Sequence, residues 1–159
     1  ADWGWDIRRG GRSFLMLKLL RQILQPSRLL YLVWNQIVRP TEHDAVWVGQ
    51  RLFAAKLSYK LRDGRYWAVP RWKWALLARL NPRFKYLADR WDCDEYAELF
   101  RVTASLLFGV NTVGVVHTSR HYWNVIVAED GLHWFEPQTN TWVTNLTGIY
   151  DLAGAEVDI

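Results

Sequence analysis

Sulfur is nearly missing from this 159-residue chain, which has one cysteine, Cys93, and one methionine, Met16. A single thiol excludes an internal disulfide and any multi-cysteine zinc or iron–sulfur site. Long apolar runs are missing too. The longest fully apolar run, residues 29–34, falls far short of the roughly 18 residues a membrane-spanning helix needs. Ala1-Asp2-Trp3 has neither the basic start nor the apolar stretch of a secretory signal. Nothing asks for an oxidising compartment, and a reducing one is compatible with the lone thiol. Charge of one sign is in small excess only. Twenty Lys and Arg against sixteen Asp and Glu give +4, too little by itself to imply nucleic acid.

Half of the residues are apolar and 23% are charged, a globular composition. The length predicts a single domain over 1–159, long enough to bury most of what the unfolded chain exposes. Aromatic side chains are abundant: 11 Trp, 7 Tyr and 6 Phe. Residues 13–40 show helical apolar spacing in two segments separated by Pro26, with Ser13 as a cap. Their broad apolar face and scattered cations predict helices packed on the core rather than a membrane surface. Asp63-Gly64 suggests a hairpin turn between 57–61 and 66–69. A helix is expected over 72–80, stopped by Asn81-Pro82. Arg65-Tyr66-Trp67 and Arg71-Trp72-Lys73-Trp74 interleave cations with rings, a pattern that stacks bases or sugars but more often packs with cation–π contact. A helix over 92–107 and strands over 113–116, 122–128, 132–135 and 141–143 follow, with Asp130-Gly131 as a tight turn.

The cysteine has a telling position. Asp92 is a good N-cap and Glu95 lies three residues on, a capping-box pattern that makes Cys93 the first helical residue. Cys93, Ala97, Phe100, Ala104 and Leu107 form one apolar stripe. A helix N-terminus stabilises a thiolate, while Asp92, Asp94 and Glu95 oppose it. Cysteine is also an ordinary small buried residue, and alone Cys93 would be read that way. His121 opens one strand and Glu136 ends the next, supplying a base and an orienting acceptor for a thiol. If Asp130-Gly131 is a two-residue turn, Glu136 faces Val125 and shares His121's side of the sheet. The offset is then about 13 Å along the strand, so contact needs a wider loop or a bulge. His117, His121, His133 and Glu136 can also be read as a metal site, but 117 and 121 flank a loop. His43, between Glu42 and Asp44, is expected to be solvated, and Trp123 and Trp134 to be core or walls beside the thiol.

Three short motifs, Trp91-Asp92-Cys93-Asp94-Glu95-Tyr96-Ala97, His121-Tyr122-Trp123-Asn124 and Phe135-Glu136-Pro137, together resemble the papain-like and transglutaminase-like thiol enzyme superfamily. They look most similar to the peptidase domain of a fungal agglutinin and its phage and bacterial relatives. The resemblance spans about 84–143. It implies an α+β fold, with N-terminal helices and a cysteine-bearing helix packed on a small antiparallel sheet. It implies Cys93 as nucleophile, His121 as general base and Glu136 as orienter in a thiol hydrolase or acyltransferase acting on an amide or isopeptide bond. A cysteine peptidase with a peptide or protein substrate is the first expectation, and transglutamination its close variant. No cofactor is required. Calcium is the candidate ion, with Asp94 and Glu95 where the agglutinin's calcium-binding acids fall. No Gln lies between Gln50 and Gln138, so the oxyanion partner stays open. The alternative is a non-catalytic glycan- or peptide-binding module on the same fold. Nucleic acid and membrane are the less favoured partners.

Overall fold

The computed structural model describes residues 38–81 and 92–159. Of the helices expected over 13–40, residues 13–37 lie outside the described residues. Among the described residues the chain is mixed α and β. Strand β1 (Thr41–Asp44) leads into helix α1 (Ala45–Ala54), and strands β2 (Ser58–Lys60) and β3 (Arg65–Ala68) follow. Helix α2 (Arg71–Arg79) and helix α3 (Cys93–Phe108) come next. Strands β4 (Val113–His117), β5 (Tyr122–Ala128), β6 (Gly131–Glu136) and β7 (Thr141–Val143) form a run. A short 3₁₀ turn (Gly148–Tyr150) and β8 (Glu156–Asp158) end the chain. No described helix is long and apolar enough to cross a membrane.

The main sheet has six strands in the order β2-β8-β4-β5-β6-β7, and β1 pairs only with β3. The α+β expectation holds, but the sheet is larger than expected and mixed, since β2 runs parallel to β8. The hairpin expected at Asp63-Gly64 does not form. Arg62 is drawn to the C-terminal strand instead, by an ion pair with Asp158 and a backbone bond of its N–H to the Ile159 carbonyl. Asn111 then bridges Asp63 and the Arg65 carbonyl, which directs β3 toward β1.

Alternation along the strands sorts the two faces. Trp123, Val125 and Val127 of β5 join Val116, Val157, Val48 and Leu52 in a core under α1. Gly114 makes that core close, because a Cβ there would sit 2.7 Å from Val157 Cγ1 and 3.0 Å from Val125 Cγ1. On the opposite face Phe100 of α3 packs against Phe135 (4.6 Å between centroids) and Trp74 (6.3 Å). Ala97 and Ala104 are buried on the same stripe of α3, as its apolar spacing predicts.

Two connections place the site. The β5–β6 register pairs Ala128 with Gly131, so the turn is Glu129-Asp130 and not Asp130-Gly131. Gly131 (φ 137°) supplies the conformation that leaves the turn. The second connection, residues 144–155, leaves β7 at one edge of the sheet and enters β8 beyond β4. Four inter-strand steps of about 4.8 Å are roughly 19 Å, and twelve residues reach up to about 40 Å, so this strap has length to spare. Tyr150 and Leu152 pack it against the core on the α1 face.

Candidate functional site

Helix α3 brings its first residue to the end of β5. The capping box forms as its sequence pattern predicts: the Asp92 N–H donates to Glu95 Oε2 at 2.9 Å. Asn124 ties α3 to the sheet, its Nδ2 donating to the Ala97 carbonyl at 3.0 Å and the Gly114 carbonyl at 3.2 Å. Cys93 is half-buried, with its thiol against the backbone of Tyr122.

His121 and Glu136 meet. The register is two residues tighter than an Asp130-Gly131 turn would give. Phe135 faces Asn124, and one step further Glu136 falls opposite Trp123, two residues from His121. A diagonal pair of that kind is within reach of long side chains. His121 Nε2 lies 2.5 Å from Glu136 Oε2, and both side chains are nearly excluded from solvent. A carboxylate only accepts, so Nε2 carries the hydrogen and Nδ1 is the second, distinct nitrogen of the ring. Thr118 holds the base of the imidazole loop, its Oγ1 accepting the His121 N–H at 3.2 Å.

Glu136 has further partners that the sequence did not reveal. Its Oε1 accepts the Gln138 N–H at 2.9 Å, and its Oε2 also accepts the Tyr150 hydroxyl at 3.2 Å. The Tyr150 ring stands edge-on to His121 and to Trp123, each at 5.5 Å, while Trp123 stacks on His121 at 5.8 Å. Trp123 is fully buried, so it backs the site as core and does not wall it. Its Nε1 is buried without a hydrogen-bond partner. Tyr150 sits 14 residues from Glu136, on a strap whose course only the strand order fixes, and no motif marks it.

The electrostatics do not favour a thiolate. Burial pushes the Cys93 thiol above its usual value, the Tyr122 backbone bond opposes this, and the Asp92 and Asp94 carboxylates add to the rise. The His121 ring bonds to Glu136, while the thiol's bond runs to the Tyr122 backbone.

The metal reading of the histidines fails on geometry. His133 and Glu136 are three residues apart on β6 and point to opposite faces. His133 faces Asp130 at 3.4 Å and His117 faces Glu156 at 3.7 Å. Among the described residues, the one group with ligand atoms close enough for an ion is Asp92, Cys93 and Asp94, within 4.8 Å of one another. Two carboxylates and a thiol are a poor set for calcium, which takes six to eight oxygens, and Glu95 is committed to the cap. His43 is only partly solvated: its Nε2 is buried, its ring stacks on Trp47 at 3.7 Å, and burial lowers its proton affinity. In the Arg/Trp segment Tyr66 and Trp74 are buried in the core, while Trp72 is exposed.

No family model and no curated protein matches the chain. Solved structures do match. A structure titled as a PSL1a–E64 complex shares 17% identity over 74% of this chain and 50% of its own, with a TM-score of 0.57. Polyporus squamosus lectin bound to the human-type influenza-binding epitope Neu5Acα2-6Galβ1-4GlcNAc shares 16% over 74% of this chain and 49% of its own, also with a TM-score of 0.57. The chain thus spans about half the length of the solved chains it matches, and at this identity the likeness is one of fold.

These matches correct the expectation drawn from the three motifs. These two structures, which share the fold, are those of a lectin, not of a papain-like or transglutaminase-like thiol enzyme, and nothing in them supports a phage origin. The expected cysteine peptidase or acyltransferase gives way with it. The raised thiol agrees with that correction.

Proposed function

We propose that this chain is a non-catalytic glycan-binding module, with Cys93, His121 and Glu136 in the ligand site as recognition groups. The observation that carries the reading is the fold it shares with a lectin solved with a sialylated trisaccharide. The local chemistry suits such a ligand. Saccharide sites combine a few fixed polar groups with aromatic faces. Here a buried imidazole–carboxylate pair is held rigid, the half-buried Tyr150 bonds to its carboxylate, and the half-buried Cys93 thiol lies against the backbone of Tyr122, next to His121 in the chain. Burial, with the Asp92 and Asp94 carboxylates, raises the thiol above its usual value, which suits a recognition group.

Titration of the purified chain with Neu5Acα2-6Galβ1-4GlcNAc, followed by amide shifts, tests the reading. Saturable shifts centred on 93, 121–122, 136 and 150 are expected. Iodoacetamide at pH 6 should label Cys93 no faster than free cysteine. No saturation with any saccharide, together with fast single-site labelling of Cys93, would overturn the proposal.

A further inference from the structure

Glu136 carries a buried carboxylate with three donors directed at it, and only two come from its own neighbourhood in the fold. Gln138 N–H is two residues away and His121 immediately precedes the neighbouring strand β5. The third, the Tyr150 hydroxyl, arrives on the strap that crosses the sheet from β7 to β8. Both oxygens are thereby fixed: Oε1 by the backbone, Oε2 by imidazole and phenol together. The same Tyr150 ring stands edge-on to His121 and Trp123. Ile149, beside it on the 3₁₀ turn, is half exposed and shares none of these bonds.

We propose that Tyr150 is a positioning residue of the site, whose hydroxyl locks the Glu136 carboxylate in the plane that holds His121 Nε2 and leaves Nδ1 as the ring's recognition atom. This rests on the reading above for what the site recognises, but not for the lock itself. Burial and the nearby Glu136 carboxylate push the Tyr150 phenol up to about 12, so at neutral pH it keeps the proton it donates to Oε2. A donor shared on Oε2 restrains rotation of the carboxylate and keeps water off the 2.5 Å bond to His121. The role differs from packing, since a phenylalanine would pack equally well.

Tyr150→Phe in the full chain, with ¹⁵N-labelled histidine, separates these roles. Exchange of the His121 Nε2 proton with water is expected to speed up about tenfold while the melting temperature stays within a degree or two. Ile149→Ala should leave the exchange unchanged. An Nε2 proton that exchanges equally slowly in Tyr150→Phe overturns the proposal. So does a wild-type protein whose Tyr150 hydroxyl proton exchanges freely, a result that needs no variant. Titration with Neu5Acα2-6Galβ1-4GlcNAc adds the second arm. About tenfold weaker binding by Tyr150→Phe is expected. Wild-type protein that binds no saccharide, with exchange still accelerated in Tyr150→Phe, would sink the glycan reading and leave the lock standing.

Discussion

The face of the sheet beneath α3 and the strand-end cluster beneath the strap are both dry, yet different forces hold them. Under α3 the contacts are Phe100 on Phe135 and Trp74, with Ala97 and Ala104 filling between. Such contacts are non-directional and scale with area, at about 25 cal/mol per Å² of apolar surface. Under the strap a histidine, a glutamate and a tyrosine are held by hydrogen bonds of fixed length and angle. The first region tolerates approximation. The second fails when its shared acceptor Glu136 is lost, because every donor on it is then buried without an acceptor. The molecule places its rigid polar geometry on strand ends and its adaptable packing on a helix face, which is how a scaffold supports a site.

The largest effect is expected on the apolar side. Phe100→Ala removes a fully buried ring that contacts both a strand and α2, and should cost about 3–5 kcal/mol. Denaturant unfolding checks it. A loss below about 1.5 kcal/mol, in the range of volume-conserving swaps, would show that the α3 face is loosely packed and would break the contrast.

Glu136→Ala comes next, at about 2–4 kcal/mol, since it strands the His121 Nε2, Gln138 and Tyr150 donors at about 1–3 kcal/mol each with partial relaxation. Glu136→Gln keeps one carbonyl acceptor and should lose about half as much. A full loss in Glu136→Ala with none in Glu136→Gln would mean that volume, not hydrogen bonding, holds the strand-end cluster.

The contrast also explains what the sequence could and could not tell. Helix α3, its capping box and its stripe were legible because Asp92, Glu95 and the three- and four-residue steps to Ala97, Phe100 and Ala104 are local facts. Strands β4 to β7 were legible for the same reason. The meeting of His121 with Glu136 was only half legible. Their common face followed from alternation, but their separation depended on whether the turn began at Glu129 or Asp130. That choice is tied to a tertiary contact, the Arg71 backbone N–H on Asp130 Oδ1 at 3.0 Å. Strands β1 and β8 and the 3₁₀ turn had no local signature. Their positions come from pairings such as Thr41 with Ala68 and Val116 with Val157. Tyr150 was invisible because a strap joining non-neighbouring strands brings it in. The functional expectation failed for another reason: three short motifs with a Cys, a His and an acid in order carry the resemblance, while the solved structures that share the fold are those of a lectin.

The smallest expected effect lies at the border of the two regions, on the exposed Asp94. Its carboxyl is pushed up to about 6, chiefly by the Asp92 carboxyl beside it and then by burial and Glu95. The unfolded chain titrates it near 3.9. Between these values the folded state binds a proton that the unfolded state does not, so this group's contribution to stability rises as pH falls from about 6 toward 4. Above pH 6 it is charged in both states and the repulsion is fully present. Asp94→Asn should therefore raise the melting temperature slightly at pH 7 to 8, and the gain should vanish near pH 4. Because Asp94 is exposed, solvent screens the repulsion and the shift is small. Calcium would relieve the same charge by another route. With Glu95 committed to the cap and few oxygens at hand, millimolar calcium is expected to leave the melting temperature of the wild type unchanged. A calcium-dependent rise that Asp94→Asn abolishes would show instead that the carboxylates at the tip of α3 hold an ion, and that the repulsion between them is what the ion relieves.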